Sequence, residues 1–158
     1  VALSNIVDAI AGILETVDGV GRVHKYQRFA AKWNDVLDKF RDADGRYNAW
    51  MISRPKMLRR SQTLGELEIL HAIRIEGIYS HNDSGASETA FQGVVDAIAD
   101  TFLSYDDLNG ACLTTEPDWG PLEGHRGIQL ENAEIRMFGG TLCHYCDLRL
   151  SVLERRIG

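Results

Sequence analysis

The sequence predicts an α+β fold: a mostly antiparallel sheet with helices packed on one face, in a single domain. Three observations predict it. Apolar residues recur at helical spacing in stretches near residues 3–17 and 91–102. Glu66 to Tyr79 alternates apolar and polar, as a half-buried antiparallel strand does. Ile128 to Phe138 and Thr141 to Leu153 are strand-like runs separated only by Gly139-Gly140, a two-residue hairpin signal.

The first helix carries Leu3, Ile6, Val7, Ile10, Ile13, Leu14 and Val17 on one side, with Ser4 as its predicted N-cap and Asp18-Gly19 as its stop. Val20 to Phe29 reads as a strand. Ala31 to Arg41 reads as a second helix with Trp33, Val36, Leu37 and Phe40 on one face, closed by an Asp44-Gly45 turn. Tyr47 to Ser53 is a short strand of bulky residues. Ser53 to Gly65, SRPKMLRRSQTLG, has Pro55, basic residues and no clear period, so it is expected to be a long loop, mobile until it meets a partner. In the strand that follows, Leu67, Ile69, His71, Ile73, Ile75 and Tyr79 share one face. SHNDSGAS caps the next helix through Ser84 or Ser87, and the helix buries Phe91, Val94, Val95, Ile98 and Phe102. Residues 105–127 form a connection with Asn109-Gly110, Pro117, Trp119 and Pro121, with room for a short strand around Ala111 to Thr115. The whole of 1–158 thus reads as one domain with long loops at about 53–65 and 105–127.

Composition narrows the function classes. The chain has 158 residues, enough to fold without a disulfide or metal. No apolar run approaches the roughly 20 residues of a membrane helix. The opening VALSNIVDAIAG lacks a basic n-region, so no secretory signal is expected there. Three cysteines make an odd count, which suits a reducing compartment. The net charge of −6 argues against a nucleic-acid binder, but it is unevenly spread. Residues 1–62 hold 11 Lys/Arg and 7 Asp/Glu, whereas 63–158 hold 6 and 16. That polarity suits a subunit whose two ends meet differently charged partners.

The segment TLCHYCDLRL raises the question of chemistry. On a strand, Cys143 and Cys146 point to opposite faces, so they could neither pair nor grip one metal. Cys112 stands apart, leaving no second ligand pair. His24, His71, His81, His125 and His144 include no metalloprotease-like spacing, and His71 and His144 fall on apolar strand faces. Ser80-His81-Asn82-Asp83 has the composition of a turn and cap. No catalytic, cofactor or metal residue is therefore expected. The candidate partner interface is the basic run Arg54, Lys56, Met57, Leu58, Arg59, Arg60, together with Trp119 on its proline-stiffened loop.

An amphipathic N-terminal helix, a strand GRVHKYQRF and a Trp-bearing segment come first. LHAIRIEGIYS then runs into ETAFQGVVDAIADTF, and AEIRMFGGTLCHYCDLRLSVLER closes the chain. This layout resembles the tail-terminator (tail-completion) proteins of long-tailed bacteriophages and gene transfer agents. The resemblance implies a ring-forming, non-enzymatic virion protein, a hexamer assembled in the host cytoplasm and carried in the tail neck. Its implied partners are the tail tube protein and a head-side connector or stopper, with DNA passing through the lumen without specific binding. Alternatives are another neck or minor tail protein of similar fold, a small hydrolase-type enzyme using His71 or His144, and a nucleic-acid module using the basic run.

Overall fold

The computed structural model describes residues 2–26, 47–80, 86–138 and 141–157. Among these described residues seven elements follow in the order α1 (Ala2–Glu15), β1 (Arg22–His24), β2 (Asn48–Arg60), β3 (Glu66–Ser80), α2 (Ser87–Phe102), β4 (Gln129–Phe138) and β5 (Thr141–Ile157). They build a five-stranded sheet in the order β1-β2-β3-β5-β4. The short β1 runs parallel to β2; all other neighbours are antiparallel.

The core lies between the two helices and one face of the sheet. Ile6, Ile10 and Leu14 of α1 join Phe91, Val95 and Ile98 of α2 over Trp50, Ile52, Ile73, Ile75, Leu148 and Leu150. β2, β3 and β5 each contribute alternate residues, so the period-2 pattern became a buried layer. Helices on one side of a mostly antiparallel sheet is the architecture that the sequence predicts.

The centre of the sheet is the β3–β5 ladder, paired from Glu66↔Ile157 to Ser80↔Cys143. Both strands are long, and both of their faces are partly buried. On the side away from the helices, Tyr47, Ala49, Met51, Ile78, Cys143 and Tyr145 form a second, smaller cluster.

Asn48 locks the exit of α1 to the sheet. Its amide donates to Gly19 O at 2.7 Å, and its Oδ1 accepts from Gly21 N at 3.0 Å and Trp50 Nε1 at 2.9 Å. Gly77 faces Trp50 across the β2–β3 ladder. The indole ring occupies the space where a Cβ of residue 77 would lie. Gly77→Val should therefore destabilise the fold by about 1–3 kcal/mol or more through overpacking. A denaturant midpoint unchanged from the wild type would show that Trp50 can move aside.

Several expectations need correction. The predicted loop over 53–65 is largely strand: β2 continues to Arg60, and only the turn before Glu66 remains irregular. Pro55 is absorbed where the register slips between Ser53 and Lys56, a bulge that demands no regular ladder hydrogen bond. The stretch expected to be mobile is thus paired to β3 as far as Arg60↔Glu68.

The first helix begins at Ala2, so Ser4 lies within its first turn. The cap of α2 is Ala86 in the left-handed conformation (φ 51°) with no side-chain cap bond; Ser87 is the first helical residue. Of the strand read over 20–29, Arg22–His24 is observed, and 27–29 lie outside the described residues. The expected helix at 31–41, the Asp44-Gly45 turn, Ser84 and the Gly139-Gly140 loop lie outside the described residues. The connection 105–127 is irregular as expected, and its short strand is reduced to a single bridge, Thr114↔Leu153.

Candidate functional site

The outer half of β2 carries the candidate interface residues. After the bulge, Lys56, Leu58 and Arg60 oppose Ala72, Leu70 and Glu68, on the face away from the helices. Met57 and Arg59 oppose His71 and Ile69, on the helix side. β1 pairs only with Ala49 to Met51. Among the described residues, no strand covers the outer edge of β2 beyond that point.

The structure splits this set. Arg60, Leu58 and Trp119 are used within the molecule. Arg60 Nε donates to Glu68 at 3.0 Å and Nη2 to Asp118 at 3.4 Å, and its guanidinium stands 4.5 Å from the centre of the Trp119 ring. Gly120, at φ 92°, presses its backbone onto Leu70 beside Leu58. Trp119 therefore turns back onto the fold and pins the 117–124 loop across β2 and β3, rather than standing out as a free anchor. Arg54 reaches the Nδ1 of His71 at 3.1 Å. Lys56, Met57 and Arg59 remain exposed.

His71 is buried and held from both sides. Its Nε2 lies 3.0 Å from Glu154 Oε1. A carboxylate only accepts, so Nε2 carries the hydrogen and Nδ1 accepts from Arg54. Burial pushes the His71 pKa down, against the pull of Glu154, and the Arg54 and Arg156 charges add to the lowering. Glu154 is also held below the usual carboxylate range: burial opposes this, but hydrogen bonds from His71 and Arg156 outweigh it.

With the folded pKa depressed, the neutral His71 contributes stability that is fully present above about pH 6.5 and is lost as pH falls through the folded value. Acidification should lower the melting temperature of the wild type in that window. His71→Gln should flatten the dependence; an equal loss in both proteins would remove His71 as its source.

His144 is buried beside the start of α2. Its Nε2 lies 2.8 Å from Ser87 Oγ, and its ring stacks on Phe91 with centroids 5.4 Å apart. The pair ties the helix start to β5. The thiols divide as the strand period predicts: Cys146 enters the helix-side core and Cys143 the cluster on the other face. Burial pushes the Cys143 pKa up to about 11 and those of Cys112 and Cys146 up to about 12, so all three stay protonated at neutral pH. Among the described residues, no group of three or more His, Cys, Asp or Glu side chains could hold a metal ion, and no helix is long and apolar enough to cross a membrane.

Two features escaped the sequence reading. One is a charged lattice on the face away from the helices. Arg74 opposes Arg149 and Glu76 opposes Asp147 across the β3–β5 ladder, while the attractive contacts run diagonally and along the strand. Tyr145 donates to Glu76 at 2.6 Å and accepts from Arg74 at 3.3 Å. Burial, with the Glu76 hydrogen bond, pushes the Tyr145 pKa up to about 12.

The other is β4, where every residue from Leu130 to Met137 is exposed. Leu130, Ala133, Ile135 and Met137 oppose Leu148, Cys146, His144 and Leu142, which places them on the helix side of the sheet. The signal was present in QLENAEIRMF, whose apolar residues alternate once the irregularity between Leu130 and Asn132 is allowed for.

Scanned against models of known protein families, the chain matches none, and no curated protein matches it.

Proposed function

We propose that this chain is a structural ring subunit of a phage-type tail neck. In this reading it caps the tail tube, ends tube polymerisation and offers a surface to the head-side connector. One observation carries the reading. Leu130, Ile135, Met137 and Leu142 form an apolar row on the sheet edge, 47%, 52%, 60% and 45% exposed in the single chain. An apolar strand face left in water marks an interaction surface. The order of the described elements, ending in a long two-strand hairpin, agrees with the layout on which the resemblance rests.

The sheet also gives the uneven charge a geometry. The basic run ends up on β2 near one edge, and the acidic half of the sequence supplies β4 at the other. Dissimilar edges suit the heterologous contacts that close a cyclic ring. The partners proposed are further copies of the chain, six to a ring, with the tail tube on one ring face and the connector on the other. DNA would pass through the lumen, and the protein would reside in the virion neck.

The test is removal of the gene from a phage or transfer agent that carries it, with imaging of the tails. Tails of uncontrolled length, restored by the supplied protein, are the expected result. Normal tails of normal length would overturn the reading. A hydrolase reading would draw on the Ser87–His144 contact, and it predicts covalent labelling of Ser87 by a fluorophosphonate.

A further inference from the structure

We infer that the chain associates head to tail with second copies of itself by edge pairing, the outer side of β4 in one copy taking the outer half of β2 from the next. The inference deepens the ring reading and rests on it. Its first support is the pair of open edges. β4 pairs with β5 on one side, and no described strand lies on its other side. The outer half of β2, from Arg54 to Arg60, pairs with β3 alone among the described residues. An open edge presents unpaired N–H and C=O groups that template another strand.

Charge complementarity selects the occupant. The segment Arg54 to Arg60 contains Arg54, Lys56, Arg59 and Arg60 and no acidic residue. β4 carries Glu131 and Glu134 against Arg136, which is ion-paired to Glu134. A β4 edge is therefore better matched to a β2 edge than to a second β4, and two β2 edges would repel each other.

Strand polarity and sidedness agree. The β2–β3, β3–β5 and β5–β4 pairs are all antiparallel, so β2 and β4 run in opposite directions. A neighbour shifted along the sheet without turning over brings its β2 antiparallel to β4, with its helices on the same side. Met57 of the neighbour then falls on the face of Ile135 and Met137, joined by the aliphatic stem of Arg59. Lys56 falls on the opposite face, with Glu134. The apolar row is covered and the acidic strand meets a basic one in the same act. Each copy uses β4 once and β2 once, so the contact propagates until it closes.

The test uses two double variants of the full chain, Ile135→Lys/Met137→Lys on β4 and Lys56→Glu/Arg59→Glu on β2. All four residues are exposed, so both variants should keep the wild-type melting temperature. Mass in solution is then measured for the wild type, each variant and their equimolar mixture. The wild type should form a closed oligomer, and each variant alone should lose it and remain monomeric. The mixture should regain association, because an intact β4 meets an intact β2 and the Lys-bearing β4 meets the Glu-bearing β2.

A β2 variant that assembles as the wild type does, while the β4 variant forms nothing, would overturn the inference in favour of β4–β4 pairing. Rings that survive in both variants would overturn the edge contact and leave the ring reading standing. A wild type that stays monomeric at every concentration and in the presence of tail tubes would overturn both.

Discussion

Ile98→Asp should abolish cooperative folding. Ile98 is fully buried at the middle of α2, in the layer shared by Phe91, Val95 and the sheet residues Ile73, Ile75 and Leu148. Among the described residues, no Lys or Arg is buried. A carboxylate placed there loses its hydration without gaining a partner, at a cost of at least several kcal/mol. A domain has only about 5–15 kcal/mol of net stability, so the substitution consumes most or all of it. Ile98→Val, which only trims a methylene, should cost about 0.5–1.5 kcal/mol and leave a folded protein. Far-UV circular dichroism with a denaturant titration separates the outcomes. A cooperative transition in Ile98→Asp close to that of Ile98→Val would mean that α2 presents another face to the sheet.

Asp147→Ala should be the most damaging single truncation on the opposite face. Asp147 is buried and holds two arginines at once. Arg149 donates to it from Nε and Nη2, both at 2.9 Å, and Arg74 Nη2 stands 3.2 Å away. Arg74 and Arg149 face each other directly across the ladder, so without the carboxylate two like charges meet on a half-buried surface. Stripping one partner from a buried ion pair costs about 3–5 kcal/mol, and roughly 2–3 kcal/mol is expected here because both arginines retain partial contact with water.

Asp147→Asn keeps the shape and the acceptor oxygen and should lose less. The double variant Asp147→Ala/Arg149→Met should recover part of the loss, because it removes the repulsion as well as the salt bridge. A single Asp147→Ala variant as stable as the wild type would show that Glu76 alone neutralises Arg74.

The positions that the sequence determined by itself are those where a local period decides the outcome. Spacing of 3.6 fixed the buried stripes of α1 and α2, from Ile6 to Leu14 and from Phe91 to Phe102. Spacing of 2 put Cys143 and Cys146 on opposite faces, and with them the division of β5 between two clusters. Each of these depends on the backbone geometry of one element, and an element's own residues record it.

Tertiary structure alone decided the rest. Pro55 and the neighbouring basic residues read as a loop because nothing in SRPKMLRR reveals that β3 lies alongside to hydrogen-bond it, or that no other described strand pairs with its far side, where charges and a bulge are tolerated. Trp119 on its proline-stiffened loop reads from the sequence as an outward anchor, yet it tucks in. The approach of Gly120 to Leu70 and the stack of Arg60 turn it inward, through residues far away in sequence. The opposed pairs Arg74↔Arg149 and Glu76↔Asp147 depend on the register between β3 and β5, and a slip of one residue would scatter them to opposite faces. β4 has the alternation of a half-buried strand, yet its apolar side meets water in the single chain. Periodicity records that a face is apolar; only the arrangement of the other elements determines whether anything covers it.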